Sequence, residues 1–226
     1  MSPTVAIVNR SKLVKDSELK KIVPALQTQV SRDFASVWGN DGRIVFAGDK
    51  PQAGQWELYI VDTPEDVDYL GYHDTDSDSA VGFVFASLEL DKGHELSSTV
   101  SHEVLEMLAN PFLLNDHVKG RVAYAIEVCD PVQDDRYGYT VGGFLMSDFI
   151  TPDWFGKRVS GRFDFRKHIR KAWEILPGGY MPKTRVGIAS RIGDWVVAKP
   201  KGRLLSQHLI PRFSRRWRRI HRRLAA

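Results

Sequence analysis

The sequence predicts an α/β (α+β) domain with a helix near its N-terminus, a polar-faced helix at its middle and a basic helix at its C-terminus. Three observations carry this. An apolar run, "TVAIV" (4–8), leads at once into a helical pattern; strand-like runs recur as far as residue 146; and the last residues set arginines around apolar side chains at helical spacing. The chain has 226 residues, 42% of them hydrophobic, which allows one sizeable core.

Taken in order, 4–8 reads as a short buried strand. A helix is expected from near Asp16 or Ser17, where "SELK" offers a cap and an early acid, with Ile22, Leu26, Val30, Phe34 and Val37 following at helical spacing. Pro24 lies inside that pattern, so a later start or a bend is expected there. "RIVFAG" (43–48) and "WELYIVD" (56–62) read as strands joined by a turn between Gly48 and Gly54. "VGFVFASLEL" (81–90) is a further strand, and a helix follows over "TVSHEVLEMLANP" (99–111). "RVAYAIEV" (121–128) and "YTVGGFLM" (139–146) come next, the latter as a hairpin about Gly142 and Gly143.

Composition excludes some classes. The single cysteine, Cys129, rules out an internal disulfide and favours a reducing compartment. No signal peptide is evident at the N-terminus, and no run approaches the roughly 18 apolar residues of a membrane span, so a cytoplasmic or virion-associated protein without a transmembrane segment is expected. The net charge of +4 arises in residues 201–226, which hold nine Lys and Arg and no acid; the remainder has more acids than bases. The division expected is therefore a body, 1–200, and a basic amphipathic tail, 201–226. In the tail, Phe213, Trp217, Ile220 and Leu224 form a stripe, while Arg215, Arg216, Arg218, Arg219, Arg222 and Arg223 are candidates for binding a polyanion. An acidic protein, nucleic acid or anionic lipid all fit, as does simple docking of the stripe on the domain. Without a recognised DNA-binding fold, a lone basic helix argues only weakly for nucleic acid.

The central helix holds the chemistry. On a helical wheel Glu106 lies about 40° and Glu103 about 100° from His102, with Thr99 and Asn110 between them, and Val100, Val104, Leu105, Met107 and Leu108 opposite. His102 and Glu106, one turn apart, can grip one cation, and Glu103 can reach a water on it without being a ligand. An ordinary solvated helix face has the same pattern, so further residues matter. "AIEVCDP" (125–131) adds Glu127 and Asp130. They diverge in an extended strand and share a face on a helical turn, which leaves open whether one or both are ligands. The other acid would orient His102 from behind, and Cys129 reads as a small buried residue.

"SHEVLEMLANP", with "EVCDP" after it and "LGYHD" (70–74) before it, resembles a group of uncharacterised bacterial and phage-encoded proteins carrying S-H-E-x-L-E-M-L-x-D-P. More loosely it resembles zincin-like proteins, and the likeness spans roughly residues 56–150. It implies a zincin-like mixed sheet with an HExxE active-site helix. His102, Glu106 and one or both of Glu127 and Asp130 would be metal ligands, and Glu103 the catalytic carboxylate. The chain departs from the pattern at Asn110, where aspartate is usual, and it lacks the second histidine of HExxH enzymes.

One histidine with several carboxylates is a hard, anionic donor set, so zinc is expected, with manganese and calcium as alternatives. The same negative charge weakens the cation as a Lewis acid, which makes slow or absent hydrolysis an expectation too. Asp74, Asp76 and Asp78 alternate as in a calcium loop, but Ser79 and Phe85 stand where an EF-hand needs glycine and glutamate; an acidic surface turn is expected instead. His73, just before a strand expected at the sheet edge, is a candidate to line a substrate cleft. The reading is a metallopeptidase-like hydrolase acting on a peptide or protein. The alternative is a non-catalytic structural or interaction protein, virion- or prophage-associated, with a degenerate zincin fold and a docking tail; a nucleic-acid-associated protein comes third.

Overall fold

Apolar runs that do not alternate belong in a sheet covered on both faces, and Thr4–Asn9 (β1) is such a strand, with Val5, Ala6, Ile7 and Val8 all buried. It lies inside a five-stranded sheet of order β2-β1-β3-β5-β4, where β2 is Arg43–Gly48, β3 Trp56–Val61, β4 Gly71–Asp76 and β5 Ser79–Phe85. β1 pairs in parallel with β2 and β3, and β3 with β5, while β4 closes the edge antiparallel to β5. The protein is thus mixed α/β with a mixed sheet. The computed structural model describes residues 2–62, 70–76, 79–88, 93–113, 116–156, 160–186 and 191–198. Asp78 and the whole tail, with its six candidate arginines, lie outside the described residues, so the expected basic helix does too.

The first helix, α1 (Asp16–Thr28), starts on the expected residue: Glu18 accepts the amide N–H of Lys15 at 3.0 Å. It runs straight through Pro24. The irregularity comes later, as a π-helical stretch at Gln29–Phe34, before Ala35–Trp38 (α2) ends at Gly39 in the left-handed region. Inside that wide segment Asp33 accepts the Tyr139 hydroxyl at 2.9 Å, and Phe34 packs edge-on against Phe149.

The motif helix, α3, spans Leu96–Ala109 and packs on β4 and β5. Gly82 of β5 permits the approach: a Cβ there would lie 2.7 Å from Leu58 Cδ1 and 3.1 Å from Met107 Sδ. Ser101 ties the other side, donating to Ser98 O at 2.9 Å and accepting the Ser147 amide N–H at 2.7 Å. The expected hairpin forms as Tyr139–Val141 (β8) and Phe144–Met146 (β9) around Gly142 and Gly143, both at positive φ. A four-stranded antiparallel sheet of order β11-β10-β7-β6 contains Asp116–Lys119 (β6), Val122–Ala125 (β7), Met181–Val186 (β10) and Arg191–Ala198 (β11).

Two expectations need correction. The strand expected at 81–90 is β5, which stops at Phe85 and lies inside the sheet; the edge is β4, which the sequence suggested was an acidic turn. Cross-strand pairing with β5 overrides the poor strand propensity of "GYHDTD". Among the described residues no helix is long and apolar enough to cross a membrane.

Candidate metal centre

Both α3 carboxylates, Glu103 and Glu106, are only 3% exposed, so this is not a solvated helix face. Two buried glutamates on one helix are costly without a counter-charge. Among the described residues no lysine or arginine pairs with Glu103, Glu106 or Asp130, and the basic groups that meet them are histidines.

Each group arrives on a different element. His102 and Glu106 project from successive turns of α3, with His102 Nε2 3.3 Å from Glu106 Oε1. Past the end of β7 the chain leaves regular structure and enters a short 3₁₀ turn at Asp130–Val132, whose second residue is Pro131. That turn sets Asp130 Oδ1 3.5 Å from His102 Nε2. The Cys129 amide N–H donates to Glu106 Oε1 at 3.1 Å, fixing the helix carboxylate against the turn. Tyr180 closes this side, its amide N–H donating to Asp130 O at 3.0 Å and its phenol standing beside the Asp130 carboxylate. Gly179 makes this possible, since a Cβ there would collide with Pro131 O and lie 2.8 Å from Asp130 O.

His73 comes from the edge strand. Alternation along β4 turns Gly71 and His73 toward α3, whereas Tyr72 stacks on Phe83 across the other face. His73 Nδ1 lies 3.6 Å from Glu106 Oε2 and 3.8 Å from Glu103 Oε2, and its Nε2 lies 3.7 Å from Glu127 Oε2. Its ring is fully buried, so His73 sits beneath the cleft among carboxylates and does not line it. Glu127 and Asp130 thus serve different imidazoles on either side of Glu106. Donor atoms within 4.8 Å of one another define two trios, His102–Glu106–Asp130 and His73–Glu106–Glu127.

Charge follows position. Burial alone would raise Glu106, but His102 and His73 outweigh it and hold its carboxyl far below the ordinary range. Burial pulls His102 down, yet the charge of Glu106 and the hydrogen bonds to Asp130 and Glu106 lift it well above an ordinary histidine. Asp130 is pushed up to about 6, by burial first and by Glu106 next. Burial, followed by the charge of Asp130, raises the Tyr180 phenol, which keeps it a neutral donor.

A small cavity of about 50 Å³ opens over His102 and Glu103, with room for only a few waters, and Tyr180, His94, Gln133 and Asp135 contribute to its wall. Nothing local in the sequence singles out these four; the Gly178–Gly179 pair before Tyr180 is the one hint of a close approach. A third group, Asp148–Asp164–His168, also went unseen and lies apart from the cavity. There the aspartates accept the amide N–H groups of Phe149, Arg166, His168 and Ile169, which suits an acid pair tying loops together. Asn110, buried at the end of α3, takes no place in either histidine trio.

Comparison with family profiles, with curated proteins and with solved structures finds no significant match to this chain.

Proposed function

We propose that the chain is a zincin-like, metal-dependent hydrolase that cleaves a peptide bond at the His102–Glu106–Asp130 cluster. One observation carries the reading. Donors about 2.0–2.2 Å from a tetrahedral zinc ion lie roughly 3.4 Å apart, and His102 Nε2 is 3.3 Å from Glu106 Oε1 and 3.5 Å from Asp130 Oδ1. These three residues would hold a cation beside the cavity. When bound, such a cation supplies a more acidic water and polarises the substrate carbonyl. Glu103, which lines the cavity without belonging to this trio, takes the proton of that water and returns it to the leaving amine. Tyr180, kept as a neutral phenol in the cavity wall, offers its one hydroxyl hydrogen to the developing oxyanion.

The test is a pair of variants assayed for metal content and for cleavage of a mixed peptide library. Glu103→Gln is expected to keep the metal and lose activity by about 10²–10⁴-fold. His102→Ala is expected to lose the metal itself. Full activity in Glu103→Gln would remove Glu103 as the base. The tight cavity and anionic donors favour a second reading, a structural cation in an interaction protein. A wild-type protein that binds metal but cleaves nothing in the library supports that reading.

A further inference from the structure

We infer that the centre holds two divalent cations, the second bound by His73 and Glu127 and sharing Glu106 with the first. This rests on the hydrolase reading for the first cation and adds a position that the motif helix alone does not predict.

The geometry of Glu106 is the starting point. Its two oxygens face different imidazoles: Oε1 lies 3.3 Å from His102 and Oε2 lies 3.6 Å from His73. The Cys129 amide N–H donates to Oε1 at 3.1 Å, which favours this orientation of the carboxylate between the two imidazoles. A carboxylate presented in this way spans two cations, one on each oxygen. One donor atom each from His73, Glu106 and Glu127 lies within 4.8 Å of the others, and the closest approaches, Glu106 to His73 Nδ1 at 3.6 Å and Glu127 to Nε2 at 3.7 Å, are longer than those at His102. Ligands about 2.3–2.6 Å from a six- or seven-coordinate cation are roughly 2.7–3.7 Å apart when adjacent and up to about 5 Å apart when opposite, so this wider set suits a large, hard ion such as Ca²⁺, or Mn²⁺.

A separate observation points into the same space. Glu103 Oε2 is buried, has no hydrogen-bond partner among the described residues, and lies 3.8 Å from His73 Nδ1. A cation beside His73 gives that oxygen a counter-charge through a water, without Glu103 becoming a ligand. Charge balance agrees. Glu103, Glu106, Glu127 and Asp130 are each at most 3% exposed, and with all four ionised and one divalent cation at His102, even a protonated His73 leaves them one positive charge short. Two cations, with both imidazoles neutral as ligands, balance them in full. Access is consistent as well, because Glu103 connects the cavity to His73 behind it.

The experiment is metal stoichiometry on the full chain, purified without an affinity tag and dialysed against Mn²⁺, with electron paramagnetic resonance of the same sample. Two equivalents per chain and an exchange-broadened Mn²⁺ spectrum are expected. Glu127→Gln, which keeps shape and volume, should drop the count to one and restore the six-line spectrum of an isolated ion. The wild-type spectrum decides the matter even if that variant folds poorly. One equivalent in wild type, or two retained in a folded Glu127→Gln, overturns the second position and leaves the hydrolase reading standing. No bound metal overturns both.

Discussion

Asp148 and Glu106 are both buried acids whose neighbours drive them in opposite directions. Histidines hold Glu106 in its ionised form, whereas burial, and then hydrogen bonding and repulsion from Asp164, push Asp148 up to about 9. An unfolded aspartate ionises near pH 4, so between about pH 4 and 9 the unfolded chain sheds a proton that the folded chain keeps. The stability linked to this proton is therefore complete below about pH 4 and is lost as the pH climbs toward 9. One proton limits the loss to about 1.4 kcal/mol per pH unit. The groups facing Asp148 are Asp164 and His168, the latter with Nδ1 3.2 Å from Asp148 Oδ2, together with the amides of Phe149 and Arg166. Asp148→Asn keeps an acceptor for those two amides and removes the titration. Urea midpoints at pH 5, 7 and 9 should fall more steeply in wild type than in the variant, and parallel curves would refute a protonated Asp148.

At the scale of elements, the centre depends on how closely β4 approaches α3. Gly71 marks the contact, because a Cβ there would lie 2.6 Å from Glu103 Oε1 and 2.8 Å from Phe83 O. The side-chain oxygen can yield, but the carbonyl belongs to the paired strand β5 and cannot. Gly71→Ala is accordingly expected to cost about 1–3 kcal/mol of stability and to weaken metal binding about 10–100-fold, as loss of an orienting neighbour does. Thermal unfolding and competition with a chelating dye measure the two effects, and a variant unchanged in both would detach β4 from the centre. The same contact marks where sequence reading succeeds. The spacing of His102 and Glu106 is a local, helical property, and both side chains stand one turn apart as expected. Likewise β1, β2, β3 and the β8–β9 hairpin follow from apolar runs and a Gly–Gly turn. Strand β4 was hidden because its aspartates and glycine disfavour strands in isolation. His73, expected to line the cleft, lies beneath it, since its neighbour Glu127 is 54 residues away and no local pattern encodes that pairing. Tyr180 was missed for the same reason.

For the whole molecule, the donors come from β4, α3 and the segment after β7, so the centre exists only when all three are assembled. Binding energy at such a site adds to folding stability. Cys129, the single cysteine, can report this: it is fully buried, and burial before any other influence keeps its thiol protonated. A thiol reagent is expected to label it only through opened states. Mn²⁺, a poor match for sulfur, should slow labelling by about 100-fold at 100 times its Kd. Fast labelling that ignores Mn²⁺ would mean that residues 127–130 open independently of the site. The Cys129 amide has a further consequence. Because it hydrogen-bonds one oxygen of Glu106 within the fold itself, that carboxylate is already oriented, and the ordering entropy of the side chain falls on folding and not on any ion capture. Association at this centre should therefore be governed by how fast the incoming ion sheds its hydration shell, with little rearrangement of the protein around it.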